Sequence, residues 1–471
     1  MKRRLRVYKK TVSIVNETAT GMYESLVGDK KGFLLESYDK NYDRYTFFGK
    51  EPEEIISSRG NALVITKNDG TQEVRNGNPL ERLKEYYSEF DIVKDNEELS
   101  FSGGLVGNLG YDFVRYAEVL PDNNPDEIGI ETVQMMLMTK FSMVDHVAET
   151  LTGIILGEDT PEGKEKSLEE AEELIRQALA NKGRAPEKNF THDGVIVNQS
   201  DSLEQYSQKV EKIKEYIREG HIFQTVLSQR WTIETKQSGF ELYKELRELN
   251  PSPYLYYFNY GDFEVIGSSP EMIVKQQGNR VYTCPIAGTR KRGADAEEDA
   301  LLRDELLQDE KERAEHVMLV DLARNDMGRI SEFGTVKVTQ FMEVQNYSHV
   351  MHIVSMVEGR KKGEFHPLDL VSSFLPAGTL SGAPKIRAME IIDELESVRR
   401  GLYGGATGYI DFSRDMDFCI TIRTMIKKEN RVYLQAGAGI VADSVPENEY
   451  QECCNKVMAL AKTLVNVSST L

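Results

Sequence analysis

Strand-like and helix-like stretches follow one another along this chain in mixed runs instead of strict alternation, and that order constrains the fold more than any other feature. After a basic lead from Lys2 to Lys10, the segment 11–160 reads as short strands and turns: 32–37, 45–49, 62–66 and the glycine-rich 103–107. A charged helix over 161–179 follows, and the run Asn181 to Pro186 breaks it. Near the other end, 405–412, 418–425 and 431–435 form a meander, with the turn formers Ser413-Arg414-Asp415 and Lys428-Glu429-Asn430 between them. Mixed runs of this kind specify an α+β protein with a large, mostly antiparallel sheet.

The second half adds helices at readable positions. Asp201 or Ser202 can cap one whose apolar stripe is Tyr206, Val210, Ile213 and Ile217, with Gly220 stopping it before the strand 222–228. A second helical region spans 297–325, an alternating stretch spans 335–355, and a third helix begins at Pro384. A closing helix covers 447–464, with Ser444 and Glu447 spaced as a capping box. The change of pattern between 181 and 200 divides the chain into a β-rich region, 1–190, and a second region, 191–471.

Composition removes several classes of function. The 471 residues carry 58 basic and 77 acidic side chains, a net charge of −19, and a chain that tracks phosphate backbones needs the opposite balance. No nucleic-acid partner is expected. No apolar run approaches the ~18–20 residues that span a bilayer, and residues 11–17 are too polar for a signal-peptide core, so the chain reads as cytoplasmic with no membrane partner. The four cysteines, Cys284, Cys419, Cys453 and Cys454, have no metal-binding spacing and read as reduced thiols.

Two pairs of glutamates stand out. Glu312 and Glu315 lie three apart on one helix, Glu449 and Glu452 three apart on another, and Lys456 follows on the same face. Helices facing each other this way offer oxygen ligands suited to a hard cation such as Mg²⁺, although a chain with 29% charged residues also places such pairs on solvated faces. Gly437-Ala438-Gly439 ends a strand where backbone N–H groups could meet an anion, or makes an ordinary tight turn. Arg423 alternates with Thr421 and Cys419 toward the polar face of the neighbouring strand, so that it and Lys456 form either a carboxylate clamp or a surface ion pair. His349 and His352 lie three apart on a strand and point to opposite faces, which excludes a shared zinc. There is no nucleophile elbow, phosphate loop or dinucleotide fingerprint.

Taken together, four strings resemble the chorismate-utilising enzymes, and within that family the large subunits (component I) of anthranilate synthases. They are Pro285-Ile286-Ala287-Gly288-Thr289-Arg290; 315–326, beginning Glu315-His316-Val317; 375–385, containing Gly378-Thr379-Leu380-Ser381-Gly382-Ala383-Pro384-Lys385; and Gly437-Ala438-Gly439 with its acidic helix. The likeness runs in family order from about 200 to 465, and it implies sandwich-like antiparallel sheets surrounded by helices. It also implies that Glu315 and Glu452 hold Mg²⁺, supported by Glu312 and Glu449. Gly288, Thr289, Tyr403, Arg423, Gly437, Ala438, Gly439 and Lys456 would bind the carboxylates of chorismate. Glu271 matches the general acid for loss of the C4 hydroxyl, His352 the active-site histidine, and Thr379 a residue lining the pocket.

Two positions discriminate within the family. Members that add water carry a lysine base where this chain has Gln224, and aminodeoxychorismate synthases carry a lysine where it has Ala287; both departures imply ammonia addition and anthranilate as product. A non-catalytic tryptophan-binding scaffold would need lost ligands, and every matched position is filled. No Gly-x-Cys-x-Gly string marks a glutamine amidotransferase, so the resemblance implies a separate glutaminase subunit supplying ammonia in a hetero-oligomer. The strings 34–37 and 250–254 resemble a tryptophan feedback pocket that would include Glu36, Ser37, Pro253, Tyr254 and Leu255.

Overall fold

The computed structural model describes residues 2–37, 44–93, 99–180, 190–347, 350–363 and 365–466. Among them the strands form two sheets, one of 13 strands and one of 12. Every pairing is antiparallel except that of Arg3–Ser13 with Phe90–Val93. The pleat sorts side chains between two interfaces. In the strand Gly32–Glu36, Phe33 faces the opposing sheet and Leu34 faces helices. Phe33, Phe141 and Phe258 of the first sheet meet Val106, Met136 and Met138 of the second in a buried apolar layer, and each fully buried phenyl contributes roughly 1.5–3 kcal/mol relative to exposure.

Helices cover the two outer faces. Ala19–Leu26, Pro161–Ala178, Gly239–Leu249 and Pro446–Ala461 pack on the first sheet, and Pro79–Tyr87, Glu310–Ile330 and Pro367–Phe374 on the second. The expected α+β sandwich surrounded by helices is therefore what forms. Strands from both sides of residue 190 lie side by side in each sheet: Gly32–Glu36 pairs with Tyr254–Asn259, and Gly104–Leu109 with Ala406–Asp411. The run 181–189, which holds the expected break, lies outside the described residues. The basic lead becomes the strand Arg3–Ser13, whose Arg3, Arg6 and Lys10 pair with Glu53, Asp159 and Glu172. All four cysteines are free. Among the described residues no helix is long and apolar enough to cross a membrane.

Several expectations need correction. The region 297–325 is two helices, Ala296–Gln308 and Glu310–Ile330, because the Asp309 carboxylate accepts from the Lys311 and Glu312 N–H groups and starts a new helix. The stretch 335–355 is an antiparallel pair, Lys337–Asn346 with Val350–Arg360. Of the two expected caps it is Ser202, as the expectation allowed, that caps Leu203–Arg218, through a reciprocal pair with Gln205. Pro384 flanks the helix Lys385–Leu395 instead of opening it. The closing helix starts at Pro446, and Ser444 accepts from the Val441 N–H instead of capping it. Most consequential, 418–425 is not one strand: Met416–Ile420 belongs to the second sheet and Thr424–Lys428 to the first.

Candidate active site

Two neighbouring crossings between the sheets create the site. Glu264–Ser269 in the first sheet continues through Pro270-Glu271 into Met272–Gln277 in the second, and Met416–Ile420 returns through 421–423 to Thr424–Lys428. These strands pair with one another in both sheets. The crossings therefore run together, and Glu271 and Arg423 share one junction. Their backbones are tied there: the Ile420 N–H donates to the Glu271 carbonyl at 3.0 Å and the Ser268 N–H to the Arg423 carbonyl at 3.1 Å. Arg423 is thus not an alternating strand residue. It turns the corner at φ 49°, a left-handed conformation that costs a side-chain-bearing residue about 1–2 kcal/mol.

Burial pushes the Glu271 carboxyl up to about 8, against the opposing pull of a hydrogen bond from Thr379 and the charges of Arg423 and Lys456. The Thr379 hydroxyl donates to Glu271 Oε1 at 3.1 Å. Burial lowers the Arg423 pKa, while Glu271 and Tyr347 favour its charge. Its guanidinium makes no hydrogen bond or ion pair among the described residues. A desolvated, unpartnered guanidinium beside a carboxyl whose pKa is raised by burial has the chemistry to receive an anion next to a proton donor.

A hairpin forms the adjoining wall. His352 on Val350–Arg360 lies opposite Thr289 on Ile286–Lys291, where a bulge between Ala287 and Thr289 carries Gly288 at φ 63°. Burial brings the His352 pKa down to about 4. The neutral ring donates from Nδ1 to the Gly288 carbonyl at 2.9 Å, with Thr289 Oγ1 at 3.1 Å, which leaves Nε2 as the acceptor. Tyr347, which the sequence did not single out, packs edge-to-face with the imidazole at 5.4 Å between centroids. His349 lies outside the described residues.

Gly437-Ala438-Gly439 is not a turn. It lies within Arg431–Ile440, where Gly439 pairs with Val226 and Gly437 with Ser228 of Gln224–Glu234. The glycines serve by making room. A Cβ on Gly439 would lie 2.6 Å from Gln224 Nε2, and one on Gly437 would lie 3.1 Å from the Tyr403 hydroxyl. Ala438 turns the other way, into packing with Tyr206, Leu227 and Cys453. Lys456 Nζ donates to the Gly437 carbonyl at 2.9 Å and pairs with Glu452 Oε1 at 2.7 Å.

The paired glutamates sense one another. Burial raises the Glu315 pKa, and the Glu312 and Glu452 charges raise it further; burial and Glu452 raise that of Glu449. Arg290 Nη1 lies 3.6 Å from Glu312 Oε1, which ties this helix to the Gly288 hairpin. Among the described residues no three acidic, histidine or cysteine side chains close a coordination sphere by themselves. The donor set nevertheless fits a hard cation, whose charge would relieve this repulsion, because Mg²⁺ commonly takes one or two carboxylates and fills the rest with water and substrate oxygens.

A family model described as chorismate binding enzyme matches residues 33–462. The chain belongs to the chorismate-binding enzymes. It is 44% identical over 458 residues to anthranilate synthase component 1 of Acetivibrio thermocellus, covering 95% of this chain and 93% of that one. It is 42% identical to the protein of the same name from Aquifex aeolicus, covering 92% and 88%. The crystal structure of anthranilate synthase component I from Streptococcus pneumoniae superposes with a TM-score of 0.77 at 39% identity, covering 89% of this chain and 92% of that one.

In this chorismate-binding enzyme a cavity of about 1000 Å³ lies between the sheets beside the junction, walled by Leu35, Ser37, Pro253, Tyr254, Pro270 and Tyr347 among others. The Ser37 hydroxyl is buried without a hydrogen-bond partner among the described residues, and the Tyr254 hydroxyl donates to Asp417 at 2.8 Å. Glu36 and Leu255 also line the cavity, while strand alternation turns the Glu36 carboxylate and the Leu255 side chain toward the helix-covered face of the sheet. There Glu36 accepts from Tyr243 and from Arg247 Nε at 2.9 Å, and Leu255 joins the helix-facing core.

Proposed function

We propose that this enzyme converts chorismate and ammonia into anthranilate, pyruvate and water, the committed step toward tryptophan. One observation carries the reading: Glu271 holds a proton at neutral pH beside the unpartnered Arg423, while Gln224 and Ala287 supply no lysine nucleophile or base. The names of the relatives support it. Arg423, Lys456 and the space at Gly437 and Gly439 receive the substrate carboxylates. Glu271, held by Thr379, gives its proton to the departing C4 hydroxyl, which leaves as water. Ammonia brings its own lone pair to C2, so the neutral Gln224 suffices where water would need a base. Neutral His352, with Nε2 free to accept, assists the proton removal that accompanies loss of pyruvate.

Mg²⁺, held by Glu315 and Glu452 with Glu312 and Glu449 beside them, would supply positive charge to a substrate carboxylate. A separate glutamine amidotransferase subunit would supply the ammonia, and tryptophan in the inter-sheet cavity would restrain the reaction. We place the enzyme in the cytoplasm, where its four thiols stay reduced. The purified chain given chorismate, Mg²⁺ and ammonium at mildly alkaline pH should produce fluorescent anthranilate. Accumulation of isochorismate, salicylate or aminodeoxychorismate instead would overturn the reading.

A further inference from the structure

Behind the site lies a buried ion pair, Glu396 with Arg400, whose partners are parts of the backbone that carry site residues. Arg400 Nε donates to Glu396 Oε2 at 2.9 Å and Nη2 to Glu396 Oε1 at 2.6 Å. The remaining donors reach outward: Nη1 to the Leu380 carbonyl at 2.6 Å and Nη2 to the Val226 carbonyl at 2.9 Å. Glu396 Oε1 also accepts from the Ser228 N–H at 2.8 Å and the Ser228 hydroxyl at 2.7 Å. The guanidinium carbon stands 4.6 Å from the Tyr111 ring centroid and 5.6 Å from that of Tyr403.

Three of these contacts, with Leu380, Val226 and Tyr403, touch walls of the site. Leu380 follows Thr379 in the short turn Gly378–Leu380, and Thr379 is the hydrogen-bond donor to Glu271. Val226 pairs with Gly439, and Tyr403 stands over Gly437. We propose that Arg400, braced by Glu396, is a positioning residue that fixes the Thr379 turn, the glycine strand and Tyr403 relative to one another. A planar fork with donors at fixed angles can do this, and a lysine ammonium cannot reproduce it. The cations acting on Glu271 are Arg423 and Lys456, so Arg400 reaches the general acid through the position of Thr379 and not through its field.

The inference rests on the proposed roles of Glu271 and Thr379, and its test separates the two. Arg400→Lys keeps a cation and removes the fork; Glu396→Gln is the second variant should the first fail to fold, and both are assayed well below their own melting temperatures. The carboxyl of Glu271 is titrated in the substrate-free full chain by infrared difference spectroscopy against Glu271→Gln. We expect the loosened Thr379 bond to move its midpoint upward by about one pH unit, and kcat/KM for chorismate to fall about 100-fold. A lower Tm with the Glu271 midpoint and kcat/KM within twofold of the parent would reduce Arg400 to a structural ion pair and overturn the proposal. Should the midpoint move while the parent makes no anthranilate, positioning stands and the reading of the reaction falls.

Discussion

Replacing Thr379 with valine removes one hydroxyl and little volume from the side chain that donates to Glu271, and its effect can be worked out from the site. Burial, net of the opposing Thr379 hydrogen bond and the charges of Arg423 and Lys456, carries Glu271 from 4.5 to about 8, which at ~1.4 kcal/mol per unit is about 5 kcal/mol against the charged form. The Thr379 hydrogen bond acts the other way, and a bond to a charged acceptor contributes ~1.5–3 kcal/mol, or roughly one to two units. Without it the carboxyl should hold its proton to a pH of about 9–10. A general acid works while protonated, so the parent's kcat/KM should fall as pH rises through about 8, and the variant's should fall later. Near pH 7 both acids are loaded; near pH 9 about a tenth of the parent and half or more of the variant would be. The assay is anthranilate fluorescence at limiting chorismate, with total ammonium adjusted to hold free ammonia constant across the series. An alkaline limb at the same pH in both proteins would refute the role of Glu271, the role of Thr379, or both.

Glu452→Gln should lower turnover by orders of magnitude with an unchanged circular dichroism spectrum, and chelation should abolish activity that Mg²⁺ restores; a fully active variant would sink the metal assignment. Arg423→Met should weaken chorismate binding by about 10–150-fold, the value of ~1.5–3 kcal/mol for lost charge-assisted bonds. The same change should leave Tm equal or higher, since a desolvated and unpaired charge is removed from a strained position; a large drop in Tm would contradict this account of the junction. Ser37→Leu should fill part of the inter-sheet cavity and relieve inhibition by tryptophan while chorismate turnover persists, as read by calorimetric titration and the fluorescence assay. Unaltered tryptophan affinity would place the inhibitor elsewhere.

What could be read in the sequence was mostly local. Ser202 and Pro161 mark helix starts because caps and first turns are decided within four residues, and the glutamate pairs are visible because three residues span one helical turn. The corner at Arg423 is invisible locally because alternation in 418–425 looks the same whether a strand stays in one sheet or crosses to another; only pairing with Glu264–Ser269, more than 150 positions away, exposes it. The glycines at 437 and 439 looked like a turn because their reason, the side chains of Gln224 and Tyr403, lies on other segments. Glu36 lines the cavity as its string suggests, but the string does not show that pleating sends its carboxylate to Arg247. The Glu396–Arg400 pair has the spacing of any surface i,i+4 salt bridge, and nothing local says that it is buried.

The interleaving of the two sheets also governs how the chain can be made. Arg3–Ser13 waits for Thr150–Glu158, Gly32–Glu36 for Tyr254–Asn259, and Gln224–Glu234 for Arg431–Ile440. A growing chain on the ribosome therefore carries open strand edges until nearly its last helix has emerged, and neither sheet can be finished early. Released fragments ending near residue 190 would expose the edges that Tyr254–Asn259 and Ala406–Asp411 normally cover, and such edges recruit other chains. Heterologous production should accordingly respond to slower synthesis and lower temperature more than to changes at the surface.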